Sequence, residues 1–201
     1  MNTIMKRAGL ALGLSLGVAF GAYAQTNANT NANTNTPGPQ PTPSVTPAKS
    51  DSKLDSADRD FLENAAQSGH MEIAGSKMAL EKARNQEVKS YAQMMIDDHT
   101  KVGEQLNTLA KSKGYEPPTE PSMMMQAKLK TLGMRDEGFD KAYLESVGID
   151  AHEDAIKLFE KASQEAKDAD VKKFAADTLP ALKQHRDKAK ALHQAVAGEK
   201  K

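Results

Sequence analysis

Glu72, His99, His152 and His185 are the residues with the most chemistry to offer, because each interrupts a stripe of apolar residues spaced three and four apart. A neutral imidazole presents a nitrogen lone pair and a carboxylate presents charge. Divalent transition metals accept both, so three histidines and one glutamate converging in a dry core would suit one zinc, iron, manganese or copper ion. An ion with one open position could activate water or dioxygen. The competing reading is a polar layer in which the same four side chains hydrogen-bond one another and fix helix register without metal. Burying a carboxylate without a cation or a protonated imidazole is costly, which argues that something compensates it.

Four helices must position these residues. The first spans about Ser56 to Ala83 with Asp55 or Ser56 as its cap, and its stripe is Phe61, Ala65, Gly69, Glu72, Ser76, Ala79 and Ala83. The second starts after Asn85 and runs to about Lys113, where Gly114 stops it. Its stripe is Val88, Ala92, Met95, His99, Val102, Leu106 and Leu109. The third runs from about Phe139 to Ala166, with Ile149, His152, Ile156 and Phe159 on its clearest face. The fourth begins near Asp168 and carries Val171, Ala175, Thr178, Leu182, His185, Ala189, Leu192 and Val196. Pro180 should bend that helix ahead of His185, or divide it in two. Counting from the turns, Glu72 is level with His99, and His152 with His185. Between Gly114 and about Arg135 lies a connection long enough for a crossover or a simple turn, with a short helix expected at Met123 to Leu132. No segment alternates with the period of a strand, so the expected architecture is all-α.

Secondary candidates have plainer explanations. Asp98 and Glu153 adjoin ligand candidates and are outer-shell candidates, although each points about a hundred degrees away from its neighbouring histidine. His70 falls on the outer side of its helix and is expected in solvent, while His193 suits a helix C-terminus. Met95 reads as core filling and Met123-Met124-Met125 as a cover for one end of the bundle, with thioether copper binding the less favoured account. Tyr91 and Tyr143 read as packed bodies with wet tips rather than redox tyrosines.

Outside the helical domain, Lys6 and Arg7, an apolar run from Ala8 to Phe20 and the small-residue pattern Ala22-Tyr23-Ala24 read as a secretory leader (1–24) cleaved after Ala24. Export to the periplasm is the expectation, with no transmembrane segment in the mature chain and no cysteine for a disulfide or lipid anchor. Residues 25–53, rich in Asn, Thr and Pro, read as a disordered linker to a domain at 54–197. Basic and acidic residues number 27 each and are interleaved, so no nucleic-acid partner is expected. There is no phosphate loop, nucleophile elbow or cysteine nucleophile, hence no identifiable catalytic motif.

Several segments together carry a family resemblance: Asp60-Phe61, Met71-Glu72-Ile73, the run from Val88 to His99, Gly138 to Tyr143, His152, and Leu179-Pro180 before His185. The chain resembles the ferritin-like exported bacterial proteins grouped as domain of unknown function 4142, often described as outer-membrane proteins. That resemblance implies a ferritin-like four-helix bundle with a long connection between helices 2 and 3, and metal handling or oxidative-stress defence by analogy; a metal-free interaction or stress-response module is the alternative. Ferritin's di-iron centre needs Glu-x-x-His on two helices. Here Ile96, Ile149 and Leu182 stand three residues before His99, His152 and His185, so a typical ferroxidase centre is not expected.

Overall fold

The computed structural model describes residues 54–198. The secretory leader and the linker of the sequence reading fall outside those residues. Within them every regular element is helical: α1 (Ser56–Lys82), α2 (Gln86–Ser112), α3 (Met123–Gly133), α4 (Phe139–Tyr143), α5 (Ala151–Glu165) and α6 (Ala169–Gly198). A π-helical segment, Leu144–Asp150, joins α4 to α5, so these three make one continuous rod.

Local chemistry explains where the rods begin and end. Asp55 caps α1 by accepting from the Ala57 amide, and Asn85 caps α2 by accepting from Glu87 and Val88. Asp168 does the same for α6 through the Asp170 and Val171 amides. These acceptors satisfy first-turn amides that have no partner inside the helix. Gly114 terminates α2 with φ 73°, a left-handed conformation that glycine adopts without a Cβ penalty.

Two apolar clusters stack along the bundle. One joins Phe61 and Leu62 at the start of α1, Leu106 and Ala110 at the end of α2, Ile156 and Phe159 of α5, and Val171, Ala175 and Leu182 early in α6. The other joins Ala79 and Ala83, Val88 to Met95, Phe139 to Val147, and Ala189. The first cluster thus takes the beginnings of α1 and α6 and the ends of α2 and α5. The second takes the opposite ends. It follows that α2 and the α4–α5 rod run parallel, and that the connection carrying α3 crosses the length of the bundle. The order up, down, down, up with one long crossover is the connectivity of ferritin-like bundles.

Two expectations about the rods change. Pro180 neither ends nor divides α6, which runs unbroken past it. Its missing N–H deprives the Ala176 carbonyl of a bond, and both residues face solvent, where water can serve that carbonyl. On the third rod, Val147 and Gly148 are buried where Ile149 was expected. The i→i+5 bonding of the π segment, seen in the bond from the Ala151 amide to the Ser146 carbonyl, widens the turn and shifts which residues face inward.

Candidate metal centre

Between the two apolar clusters lies a polar layer, and all four sequence candidates are in it. Burial is nearly complete: as whole residues, Glu72 is 1% exposed, His99 4%, His152 0% and His185 3%. One comes from each rod: Glu72 from α1, His99 from α2, His152 from the first turn of α5 and His185 from α6. The three imidazole centroids are 5.2 to 5.5 Å apart.

Each ring is held through one nitrogen and left free at the other. His152 Nδ1 donates to the Val147 carbonyl at 3.0 Å. A carbonyl only accepts, so the neutral ring carries its proton on Nδ1 and its lone pair on Nε2. His185 Nε2 lies 3.0 Å from Asp98 Oδ2, and donation to that carboxylate leaves the lone pair on Nδ1. His99 Nδ1 is 3.0 Å from Glu72 Oε2. The nitrogens without a partner are therefore His99 Nε2, His152 Nε2 and His185 Nδ1, and Glu72 Oε1 is also unpartnered. The three histidines offer ligand atoms that all lie within 4.8 Å of one another, a set that does not include the Glu72 carboxylate.

Burial disfavours charge on Glu72, His99 and His152. Burial pushes the Glu72 carboxyl up to about 8. Burial, followed by the neighbouring rings of His152 and His185, holds His99 well below the usual imidazole range. For His152, burial lowers the value to about 4 against the opposing bond to Val147. The short contact between Glu72 and His99 is accordingly a hydrogen bond between neutral groups rather than an ion pair, because desolvation penalises charge on both. Among the described residues no lysine or arginine forms an ion pair with Glu72, whose charged-group contacts are to His99 and His152, and Lys190 is bound by Glu153 Oε1 at 2.7 Å.

The secondary candidates divide. Asp98 does turn away from His99, and it reaches His185 on the neighbouring rod instead; its side chain is half exposed in a groove between α2 and α6. Glu153 touches none of the rings. His70 is half-buried rather than in solvent, since the crossover covers it and its Nε2 bonds to the Pro118 carbonyl at 3.2 Å. Tyr91 and Tyr143 have buried tips instead of wet ones: Tyr91 donates to the His185 carbonyl at 3.3 Å, and Tyr143 pairs with Ser76 Oγ at 2.8 Å. Met123 and Met124 do not cover the bundle; they are 88% and 73% exposed. The Val147 carbonyl was missed. A backbone acceptor leaves no residue-type signal, and only the Val147-Gly148 pair ahead of His152 hints at altered helix register.

Comparison with known proteins yields the fold and little more. A crystal structure of a DUF305 fragment from Deinococcus radiodurans superposes with a TM-score of 0.63 at 14% identity, covering 71% of this chain and 98% of that one. CopM in its Cu(I)-bound form gives 0.58 at 18% identity, covering 70% and 98%. Its Cu(II)-bound form gives 0.59 at 21%, covering 69% and 96%. At such identities the likeness extends to the helical architecture alone. The search of curated proteins returned no match. A sequence profile supplies the kinship: it matches residues 43–192, most of the chain, which belongs to the family described as Domain of unknown function (DUF4142).

Proposed function

We propose that this protein binds one transition-metal ion in the core of its bundle through His99 Nε2, His152 Nε2 and His185 Nδ1, and that it serves metal handling or oxidative-stress defence. One observation carries the reading. Three buried imidazole nitrogens lie together without partners while the opposite nitrogen of each ring is held by a hydrogen-bond partner. Ring nitrogens bonded to carboxylate or carbonyl on the side away from the ion are the usual support of metal-binding histidines. Convergent lone pairs in a dry core repel one another, and a cation removes that repulsion.

In this reading Glu72 orients His99 through Nδ1 and supplies counter-charge, since a nearby dication favours the carboxylate that burial alone disfavours. Direct ligation through its free Oε1 is the variant that the sequence suggested. Neutral imidazoles suit copper, zinc and iron. Copper is the first to test, because CopM, of similar fold, is described in copper-bound forms. A metal-free hydrogen-bonded layer fits less well, as it would pair the inward nitrogens with one another.

Titration of the chelator-treated mature protein with Cu(II), Cu(I) and Zn(II), with bound metal counted after desalting, tests the proposal. One equivalent per chain is expected for at least one of them, and loss of that equivalent in His99→Ala, His152→Ala and His185→Ala. No retained metal, or retention unchanged in all three variants, would overturn it.

The reading also places the protein's work outside the cytoplasm, on the strength of the leader-like segment 1–24. Fractionation and N-terminal sequencing should find a periplasmic chain starting at Gln25. A cytoplasmic chain that retains Met1 would refute export.

A further inference from the structure

The glycines inside the helices are of two kinds, and the difference exposes a second feature of the polar layer. A Cβ on Gly75 would come within 2.9 Å of Val147 Cγ2, and one on Gly148 within 2.6 Å of Ala189 Cβ. Those two glycines let rods approach closely. Gly69 in α1 and Gly103 in α2 have no such reason: a Cβ on either would meet nothing within 4 Å. Glycine inside a helix costs about 1 kcal/mol relative to alanine, so two of them without a packing role call for another account.

Both line a cavity of about 210 Å³ between α1 and α2. Its walls are mostly apolar, with Ala65, Leu106, Phe159 and Leu182 among them, although Ser68, Thr100, Glu104 and Asn107 also line it. Its most deeply buried polar lining residues are Glu72 and His99, whose Oε1 and Nε2 have no hydrogen-bond partner, Oε1 lying 3.6 Å from His152 Nδ1. An apolar cavity of roughly 150 Å³ holds benzene. The space here fits such a ring with one or two further heavy atoms.

We infer that this cavity is a binding site for a small uncharged aromatic or similarly apolar molecule carrying one hydrogen-bonding group at its inner end. The apolar body displaces poorly bound water from the walls, and the polar group meets the Glu72 carboxyl or the His99 ring, each of which keeps one polar atom without a partner. An anionic ligand is disfavoured, since no lysine or arginine lines the cavity while Glu72 and Glu104 do, and any ion would have to leave water for mostly apolar walls. The inference does not require the ion; with an ion on the three imidazoles, the same molecule would lie beside it.

Phenol and toluene are the probes, titrated into the metal-free mature protein by calorimetry with protein NMR in parallel. Phenol should bind in the millimolar range or tighter, at least ten-fold better than toluene, and should shift the Phe159 and His99 ring resonances. Gly69→Leu and Gly103→Leu, whose side chains grow into the space, should weaken phenol at least ten-fold while keeping the parent's circular dichroism and metal stoichiometry. Gly69→Ala serves as a milder filling variant if a leucine variant does not fold. Undetectable phenol binding by the parent, equal binding of toluene, or undiminished binding by the folded variants would overturn the inference. Loss of metal binding in the histidine variants is a separate readout, so either idea can fail alone.

Discussion

Glu72 and His152 are neutral in the folded core for opposite reasons of proton affinity, and this gives the metal-free protein a distinctive response to pH. Burial raises the Glu72 carboxyl from 4.5 to about 8, so the folded chain binds a proton that the unfolded chain has released. Stability therefore falls as pH rises through that window. His152 is lowered from 6.5 to about 4, so the unfolded chain binds the extra proton and stability falls as pH drops through that range. Denaturation midpoints of the metal-free protein should be lower at pH 8 than at pH 6, and Glu72→Gln should remove most of that difference. An unchanged difference in Glu72→Gln would refute a protonated Glu72. Asp98 acts through His185, so Asp98→Ala should weaken metal binding by about 10–100-fold without changing its stoichiometry. Equal affinity in competition titrations would show that the Asp98 contact is incidental.

Two carboxylates near the starts of rods latch the turns of the opposite hairpins. Asp58, buried in the first turn of α1, accepts from the Lys167 and Asp168 amides at 3.0 and 2.7 Å in the α5–α6 turn. Asp140, in the first turn of α4, accepts from the Arg84 and Asn85 amides in the α1–α2 turn, the latter at 2.7 Å. Each hairpin thus holds the other's bend, and the crossover chain must return to complete the second latch. Asp58→Ala leaves two amides short of an acceptor and should cost about 1–3 kcal/mol; thermal or urea unfolding measures it, and a loss below about 0.5 kcal/mol would contradict the latch. Gly148→Ala pushes a Cβ against Ala189 and should cost a similar ~1–3 kcal/mol through overpacking. Caps, stripes and the level placement of Glu72, His99, His152 and His185 were legible in the sequence, because side-chain type and period encode them directly. The π segment, the inward turn of Val147 and Gly148 and the grip of Asp98 on His185 were not. They arise from backbone bonding and from contacts between rods, which a stripe on one helix does not record.

At the scale of the molecule, two apolar clusters enclose a polar layer to which each rod contributes one side chain. An ion held by α2, α5 and α6 would tie the two hairpins together across the crossover, so metal binding and bundle stability should be linked. At an ion concentration a hundred times Kd, linkage adds about 2.7 kcal/mol, or roughly 5–10 °C in Tm for a domain of this size. The rise should be absent in His152→Ala; no rise in the parent under saturating metal would contradict binding to the folded state alone. Among the described residues no helix is long and apolar enough to cross a membrane. Anomalous diffraction at the copper or zinc edge from crystals of the loaded protein tests the central claim most directly. A single strong peak is expected about 2.0–2.1 Å from His99 Nε2, His152 Nε2 and His185 Nδ1. Strong peaks only at the exposed methionines of α3 or at surface carboxylates, with none among the three imidazoles, would contradict it.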